Sequence, residues 1–295
     1  MIKPAFVFEA LQWASSFLAE NNREQRAADL LMRHHLDVSW TEFHLSRREN
    51  LQEDVWQAFQ RDVILHSKGI PVQHLMGYEE FYGRRFNVSE DVLIPRPETE
   101  ELVDGVISWL KQQNKQNAAA ADIGTGSGAI AITLALELKQ IKVTAVDINE
   151  MALNMAAKNA KALGAHIDFL QGDLLLPLIK TGRMFDVIVS NPPYIPKKEW
   201  EELDPLVKEY EPQLALIGEG DDGLHCYRKM AASLPAILKE DGLAAFEIGV
   251  NQGDTAAAIF KKALPDAKVS VRLDINGKDR MIFCERGKAS ERTSS

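Results

Sequence analysis

Three apolar stripes at helical spacing open the chain. Phe6, Ala10, Trp13 and Phe17 fall on one helical face, Ala27, Leu30, Leu31 and His34 repeat the period, and Leu51, Val55, Phe59 and Val63 form a third stripe. Gly69 followed by Pro71 is a stop signal for the last of these helices. The pattern predicts a small helical bundle over residues 1–75, with the aromatic residues of the stripes facing its core. From Gly77 the pattern changes. Residues 79–82 and 85–88 flank Gly83-Arg84 and predict a β-hairpin, and Ile94-Pro95-Arg96-Pro97 reads as an extended connector, so 76–97 is expected to be a hairpin linker. Residues 98–111 follow as a helix with acids in its first turn, where the helix dipole favours them.

Beyond residue 118, strand-like segments (119–123, 142–146, 167–170, 185–190, 243–248) alternate with helix-like ones (129–138, 151–163, 223–238, 254–263). Such alternation predicts an α/β, Rossmann-like domain with a mostly parallel sheet and helices on both faces. No helix separates 268–273 from 280–285, so these are expected to form a C-terminal antiparallel hairpin. The domain is placed at 98–287, and the small, polar 288–295 is expected to be a disordered tail.

Composition narrows the class. Among 295 residues, 45% are hydrophobic and 26% charged, which fits a globular protein large enough for one or two cores. No apolar run approaches the roughly 20 residues of a membrane span, and Glu9 and Gln12 break what would be a signal-peptide core. No membrane association is expected. Cys226 and Cys284 lack a partner spacing, which points away from disulfides and zinc and towards a reducing cytoplasm. The net charge of −9, with no long Lys/Arg run, makes a bulk nucleic-acid partner unexpected. The histidines include adjacent His34 and His35, which point to different helix faces. His66, His74, His166 and His225 lack ligand-like neighbours, so no metal is expected.

Four motifs carry chemistry. Asp122-Ile123-Gly124-Thr125-Gly126-Ser127-Gly128 lies between a predicted strand and a helix, where glycines allow close backbone approach and the helix start offers free N–H groups. Asp147 ends the next strand, where a carboxylate can accept from both hydroxyls of a ribose. That suits a nicotinamide dinucleotide as well as S-adenosylmethionine. Gly172-Asp173-Leu174 follows a third strand and could pair with the adenine amine while packing on its ring. Asn191-Pro192-Pro193-Tyr194 follows the apolar run 185–190, at the sheet edge where open α/β folds bind ligands. Its prolines remove two N–H donors and Asn191 adds a side-chain carbonyl, giving an acceptor-rich slot for a planar –NH2 group, with Tyr194 available to wall it in. A dehydrogenase has no use for such a slot.

In this order the motifs resemble those of class I S-adenosylmethionine-dependent methyltransferases acting on amino groups. Glu80-Phe81-Tyr82-Gly83, the run from Val92 through Arg96-Pro97-Glu98-Thr99-Glu100, Glu211-Pro212-Gln213-Leu214-Ala215-Leu216 and Asp222-Gly223-Leu224 narrow the resemblance. Over about residues 5–286 the chain is similar to the peptide chain release factor glutamine methyltransferases (HemK/PrmC). One departure from their commonest form is Ile123 in place of Leu. The resemblance implies that Gly124, Thr125, Gly126, Ser127 and Gly128 cradle the methionine part of S-adenosylmethionine, with Asp147 on the ribose and Asp173 and Leu174 at the adenine. It implies that Asn191 and the Pro192 carbonyl hold the amide of a glutamine, Pro193 and Tyr194 shape the slot, and Asn191 also adjoins the cofactor. The implied partner is a class 1 release factor, methylated on the glutamine of its Gly-Gly-Gln motif, with the helical domain helping to dock it. Alternatives are a glutamine methyltransferase of ribosomal protein L3, which shares Asn-Pro-Pro-Tyr, and an adenine-N6 or cytosine-N4 nucleic-acid methyltransferase, which should carry a basic target-recognition region. A cofactor-binding factor without catalysis would not need the amino pocket.

Overall fold

The computed structural model describes residues 3–115, 117–202 and 210–287. The expected tail at 288–295 lies outside the described residues. By internal contacts the chain divides into Met1–Tyr78 and Glu79–Ser295.

The first unit contains helices α1 (Val7–Glu20), α2 (Arg26–Leu36), α3 (Trp40–Ser46), α4 (Glu53–Ser67) and α5 (Val72–Met76). The bundle forms as the stripes predict, but the buried face of α1 is rotated. Val7, Ala10, Leu11, Ala14 and Leu18 are buried, whereas Phe6 precedes the helix and is 37% exposed. Ala10 and Ala14 lack bulk, so neighbouring helices can pack close. The large rings of Trp13 and Phe17 sit at the flank, Trp13 edge-on to Trp56 with centroids 5.0 Å apart.

The division falls at the first residue of a hairpin, β1 (Tyr78–Phe81) and β2 (Arg84–Asn87), which is followed in the second unit by α6 (Pro97–Gln112). Phe81 and Phe86 of the hairpin are buried in the same core as α6 and one face of the main sheet. That sheet contains β3 (Ala119–Ile123), β4 (Lys142–Asp147), β5 (Ile167–Gln171), β6 (Phe185–Ser190), β7 (Leu238–Glu247), β8 (Ala267–Leu273) and β9 (Asp279–Arg286), in the order β5-β4-β3-β6-β7-β9-β8. The first five positions are parallel, and β9 is antiparallel to both β7 and β8. Helices α7 (Ala129–Glu137) and α8 (Glu150–Leu163) connect β3 to β4 and β4 to β5. Separate apolar cores on the two faces bury the sheet, which explains why β3 and β6 are mostly apolar, each broken by a single aspartate, Asp122 and Asp186.

Three differences from the expected elements have local causes. The helix expected at 223–238 spans only His225–Ser233, because Pro235 cannot donate within a helix and turns the chain into a short 3-10 segment, Leu234–Ala236. Strand β7 starts at Leu238 and not at 243. Its polar Lys239-Glu240-Asp241 bulges out between the register pairs Phe185↔Leu238 and Val187↔Leu243, hiding the strand start in the sequence. Short helices at Leu176–Thr181, Lys197–Glu202 and Gln213–Leu216 were not anticipated, because each is too brief to show a helical period.

Candidate active site

The sheet order assembles the four motifs. β3 is flanked by β4 on one side and β6 on the other, and the chain direction of travel reverses at that point, which opens a crevice beyond the strand ends. Ile123 is in register with Val146 and with Ser190, and Asp147 with Gln171. The glycine turn, Asp147, Gly172-Asp173 and Asn191 are therefore delivered by adjacent strand ends. Ser190 Oγ donates to the Ile123 carbonyl at 2.6 Å, tying the exits of β3 and β6 together.

One cavity runs past these ends, lined by Gly124, Thr125, Gly126 and Ser127, by Asp147, by Asp173 and Leu174, and by Asn191 and Pro193. Gly124 and Gly126 have positive φ with open space where a Cβ would stand, as a close-approach surface requires. Gly128 is different. It does not line the cavity, and a Cβ there would meet Ile132 at 2.8 Å and Ala156 at 3.1 Å, so its glycine serves helix packing. Asp122 is also behind the wall. Its Oδ2 accepts from Thr125 Oγ1 at 2.6 Å and from the Ala131 amide at 3.1 Å, and burial raises its carboxyl to about 7.

Asp147 is buried, and burial raises its pKa against the opposing effect of backbone amides. Oδ2 accepts from the Gly126 amide and Oδ1 from the Asn149 amide, each at 2.9 Å. Each carboxylate oxygen has a second acceptor position, so both can still receive a hydroxyl. Asp173 Oδ2 accepts from Lys229 Nζ at 2.8 Å, a pairing between residues 56 positions apart that no local pattern announces.

Asn191 and Pro193 reach the cavity, but Pro192 is buried and Tyr194 does not line it. The Tyr194 hydroxyl is turned to Glu247 Oε1 at 3.5 Å, and burial together with the Glu247 charge raises its pKa. Gln252 holds the Tyr194 backbone in place: its Nε2 donates to the carbonyls of Tyr194 and Asp222, both at 2.9 Å, and its Oε1 accepts from the Gly249 amide. Gly223 packs on the same carbonyl, where a Cβ would lie 2.2 Å from Tyr194 O, at a φ of +71°. Gly223→Ala is therefore expected to cost about 2–4 kcal/mol in denaturant unfolding. Gly83→Ala, also at positive φ but facing open space, should cost only about 1–2 kcal/mol. Equal losses would show that the clash at Tyr194 is relieved by movement.

From the sequence Thr99 has no assigned role, and Glu247, on the strand after Gly242, reads as equally able to reach a cofactor edge or to serve the structure. Thr99 heads the buried stripe of α6, ahead of Leu102, Val103, Val106, Ile107 and Leu110. A hydroxyl at the top of an otherwise apolar stripe was the available signal. Asn191 Nδ2 donates to Thr99 Oγ1 at 3.1 Å, and Thr99 Oγ1 donates to Glu247 Oε2 at 2.7 Å. Burial raises the Glu247 carboxyl to about 7, partly offset by the Thr99 hydrogen bond and by Arg280. Its folded value lies above the ordinary 4.5, so the unfolded chain releases this proton first and stability falls as pH rises between those values. Wild type is thus expected to lose up to a few kcal/mol relative to Glu247→Gln between pH 4.5 and 7.5, read from paired denaturant melts. A flat difference across that window would contradict the assignment.

Segments that carried the family resemblance also line the cavity. Val92, Leu93, Pro95 and Arg96 line it, as do Pro212, Leu214 and Ala215, with Arg96 ion-paired to buried Glu211. His225 and Cys226 also line it, which their sequence context did not indicate. Among the described residues, no group of three or more His, Cys, Asp and Glu side chains could hold a metal ion. None of their helices is long and apolar enough to cross a membrane.

Comparisons with known proteins identify the domains and the family of the chain. Residues 9–77 match the PrmC N-terminal domain and residues 104–211 the methyltransferase small domain. The chain is 50% identical over 280 residues to the release factor glutamine methyltransferase of Bacillus cereus, covering 95% of this chain and 99% of that one. It is 46% identical to that of Bacillus subtilis, covering 94% and 96%. Among solved structures, a methyltransferase from Pyrococcus furiosus aligns with a TM-score of 0.51 at 18% identity, covering 70% of this chain and 91% of that one. The T. thermophilus 16S rRNA N2 G1207 methyltransferase in complex with AdoMet and guanosine aligns with a TM-score of 0.50 at 15% identity, covering 71% and 50%. At those identities the structural likeness concerns the fold. The sequence identity reaches further, and with nearly the whole chain matched at up to half its positions, the protein belongs to the release factor glutamine methyltransferase family.

Proposed function

We propose that the chain transfers a methyl group from S-adenosylmethionine to the side-chain amide nitrogen of the glutamine in the Gly-Gly-Gln motif of a class 1 release factor. The observation that carries this reading is Asn191, which lines the same cavity as the open glycine turn and Asp147 while its amide nitrogen is tied to Thr99. The names of the relatives supply the release factor. The residues fit the cofactor: Gly124 and Gly126 leave room for close contact, Asp147 keeps two acceptor positions for hydroxyls, and Asp173 with Leu174 offers an acceptor beside an apolar surface. S-adenosylmethionine supplies an already activated sulfonium methyl.

What remains for the protein is alignment and charge stabilisation. An amide nitrogen is a weak nucleophile because its lone pair is delocalised into the carbonyl. Holding nitrogen and methyl carbon about 3–3.5 Å apart and in line contributes several kcal/mol. The Asn191 side-chain oxygen would accept one amide hydrogen, and the family resemblance assigns the other to the backbone carbonyl of Pro192, whose ring is buried; together they would stabilise positive charge forming on nitrogen. The proton can leave after transfer, so no strong base is assigned. The helical unit 1–75 is read as an aid to docking the protein substrate, 76–97 as linker and 98–287 as the transferase domain, with cytoplasmic action following from the substrate. Labelled S-adenosylmethionine offered with a release factor, ribosomal protein L3 and DNA separately is expected to label the release factor on glutamine, as located by mass spectrometry. Label on DNA, on L3 alone, or on none of them would defeat the reading.

A further inference from the structure

We propose that Thr99 and Glu247 are positioning residues: their hydrogen-bond chain fixes which end of the Asn191 carboxamide meets the substrate, and so makes the slot select an amide over a carboxylate. The inference rests on the proposed role of Asn191 in holding the substrate glutamine. Asn191 Nδ2 donates to Thr99 Oγ1 at 3.1 Å, and Thr99 Oγ1 donates to Glu247 Oε2 at 2.7 Å. These contacts join the start of α6, the end of β6 and the end of β7.

The direction of the chain follows from counting hydrogens. A threonine hydroxyl has one, and an ionised carboxylate has none to give. With its hydrogen committed to Glu247, Thr99 can meet Asn191 only as an acceptor, so Nδ2 must face Thr99 and Oδ1 must face away from it. In the reversed amide, two oxygens would meet with no hydrogen between them. Thr99 is 5% exposed and Glu247 1%, so water offers little rescue for such a mismatch. The Tyr227 hydroxyl anchors the Glu247 carbonyl at 2.6 Å, keeping the terminus of the chain in place. The consequence is chemical. An oxygen presented to the slot accepts from –NH2, whereas a reversed amide would present N–H donors suited to a carboxylate. A site built around one donor–acceptor pattern rejects the analogue lacking it far more strongly than an apolar pocket would.

The test uses the full chain at pH 8, above the value near 7 of Glu247. Thr99→Val removes the hydroxyl at nearly constant shape, and Thr99→Ser keeps it. For each, kcat and KM are measured with a release factor, and the inhibition constant with the same release factor carrying Glu in place of its target Gln. S-adenosylmethionine affinity, by calorimetry, reports folding of the cofactor site. Thr99→Val is expected to lower kcat by about 10–100-fold and to narrow the preference for Gln over Glu by about 10-fold, with cofactor affinity within about 2-fold of wild type. Thr99→Ser should restore both to within about 3-fold. A Thr99→Val enzyme with wild-type kcat and preference, or a Thr99→Ser enzyme as impaired as Thr99→Val, overturns the inference. Asn191→Ala assigns the fault. If it is inactive while Thr99→Val is normal, only the positioning chain is wrong; if it is active, the reading of Asn191 itself has failed.

Discussion

Asn191→Ala is expected to lower turnover by roughly 10²–10³-fold while leaving S-adenosylmethionine affinity within a few-fold of wild type. The scale is that of removing one preorganised group aimed at charge developing in a transition state. Asn191 lies half-buried on the cavity wall at the end of a wholly buried strand, so the slot it helps form is held rigidly before substrate arrives. The substitution leaves the glycine turn, Asp147 and Asp173 untouched, and these carry the proposed cofactor contacts. Rapid-quench turnover with a release factor, paired with calorimetric titration of the cofactor, separates the two effects. A large loss of cofactor affinity would mean that Asn191 serves the cofactor first and the glutamine second.

Asp147→Ala should show the reverse pattern, weakening S-adenosylmethionine by roughly 100-fold. Hydrogen bonds to a charged group contribute about 1.5–3 kcal/mol each, and the carboxylate has an acceptor position for each ribose hydroxyl. The same oxygens receive the Gly126 and Asn149 amides, so the variant also loosens the turn that approaches the cofactor. Asp147→Asn retains the shape and one acceptor, and is expected to fall between wild type and Asp147→Ala. Calorimetry on all three decides the matter: an unchanged dissociation constant for Asp147→Ala would remove the ribose assignment, whatever happened to turnover.

The strands at the centre of the sheet were legible in the sequence because burial on both faces leaves short, mostly apolar runs, each of β3 and β6 broken by one aspartate. The bounds expected for β3 and β6 coincide with those in the structure. The motifs that follow them were legible for the same reason, since a strand end fixes where its next residues emerge. What the sequence concealed is contact between segments distant along the chain. Thr99 meets Asn191 across 92 positions and Glu247 across 148, and no local pattern encodes such meetings. Tyr194 illustrates the limit of motif reading. Its place beside Asn191 suggested a wall for the slot, whereas Gln252, Gly223 and Glu247 draw it behind that wall. The face of α1 was misjudged through weighting large rings over small residues, although Ala10 and Ala14 are the buried ones.

The sheet order has a consequence for synthesis. The parallel strands β3 to β7 are complete when Glu247 has been made, yet β7 has only β6 beside it until β9 (Asp279–Arg286) is available. β9 lies between β7 and β8, and β8 pairs with β9 alone, so the C-terminal hairpin joins the sheet through its last strand. During elongation the inner residues Leu243, Ala245 and Phe246 thus belong to an open edge, the condition under which strands recruit other chains. At a few to about twenty residues per second, the remaining stretch takes some seconds to emerge. The C-terminal hairpin therefore does more than extend the sheet: its arrival covers the open edge of β7 and ends the interval in which that edge can recruit another chain.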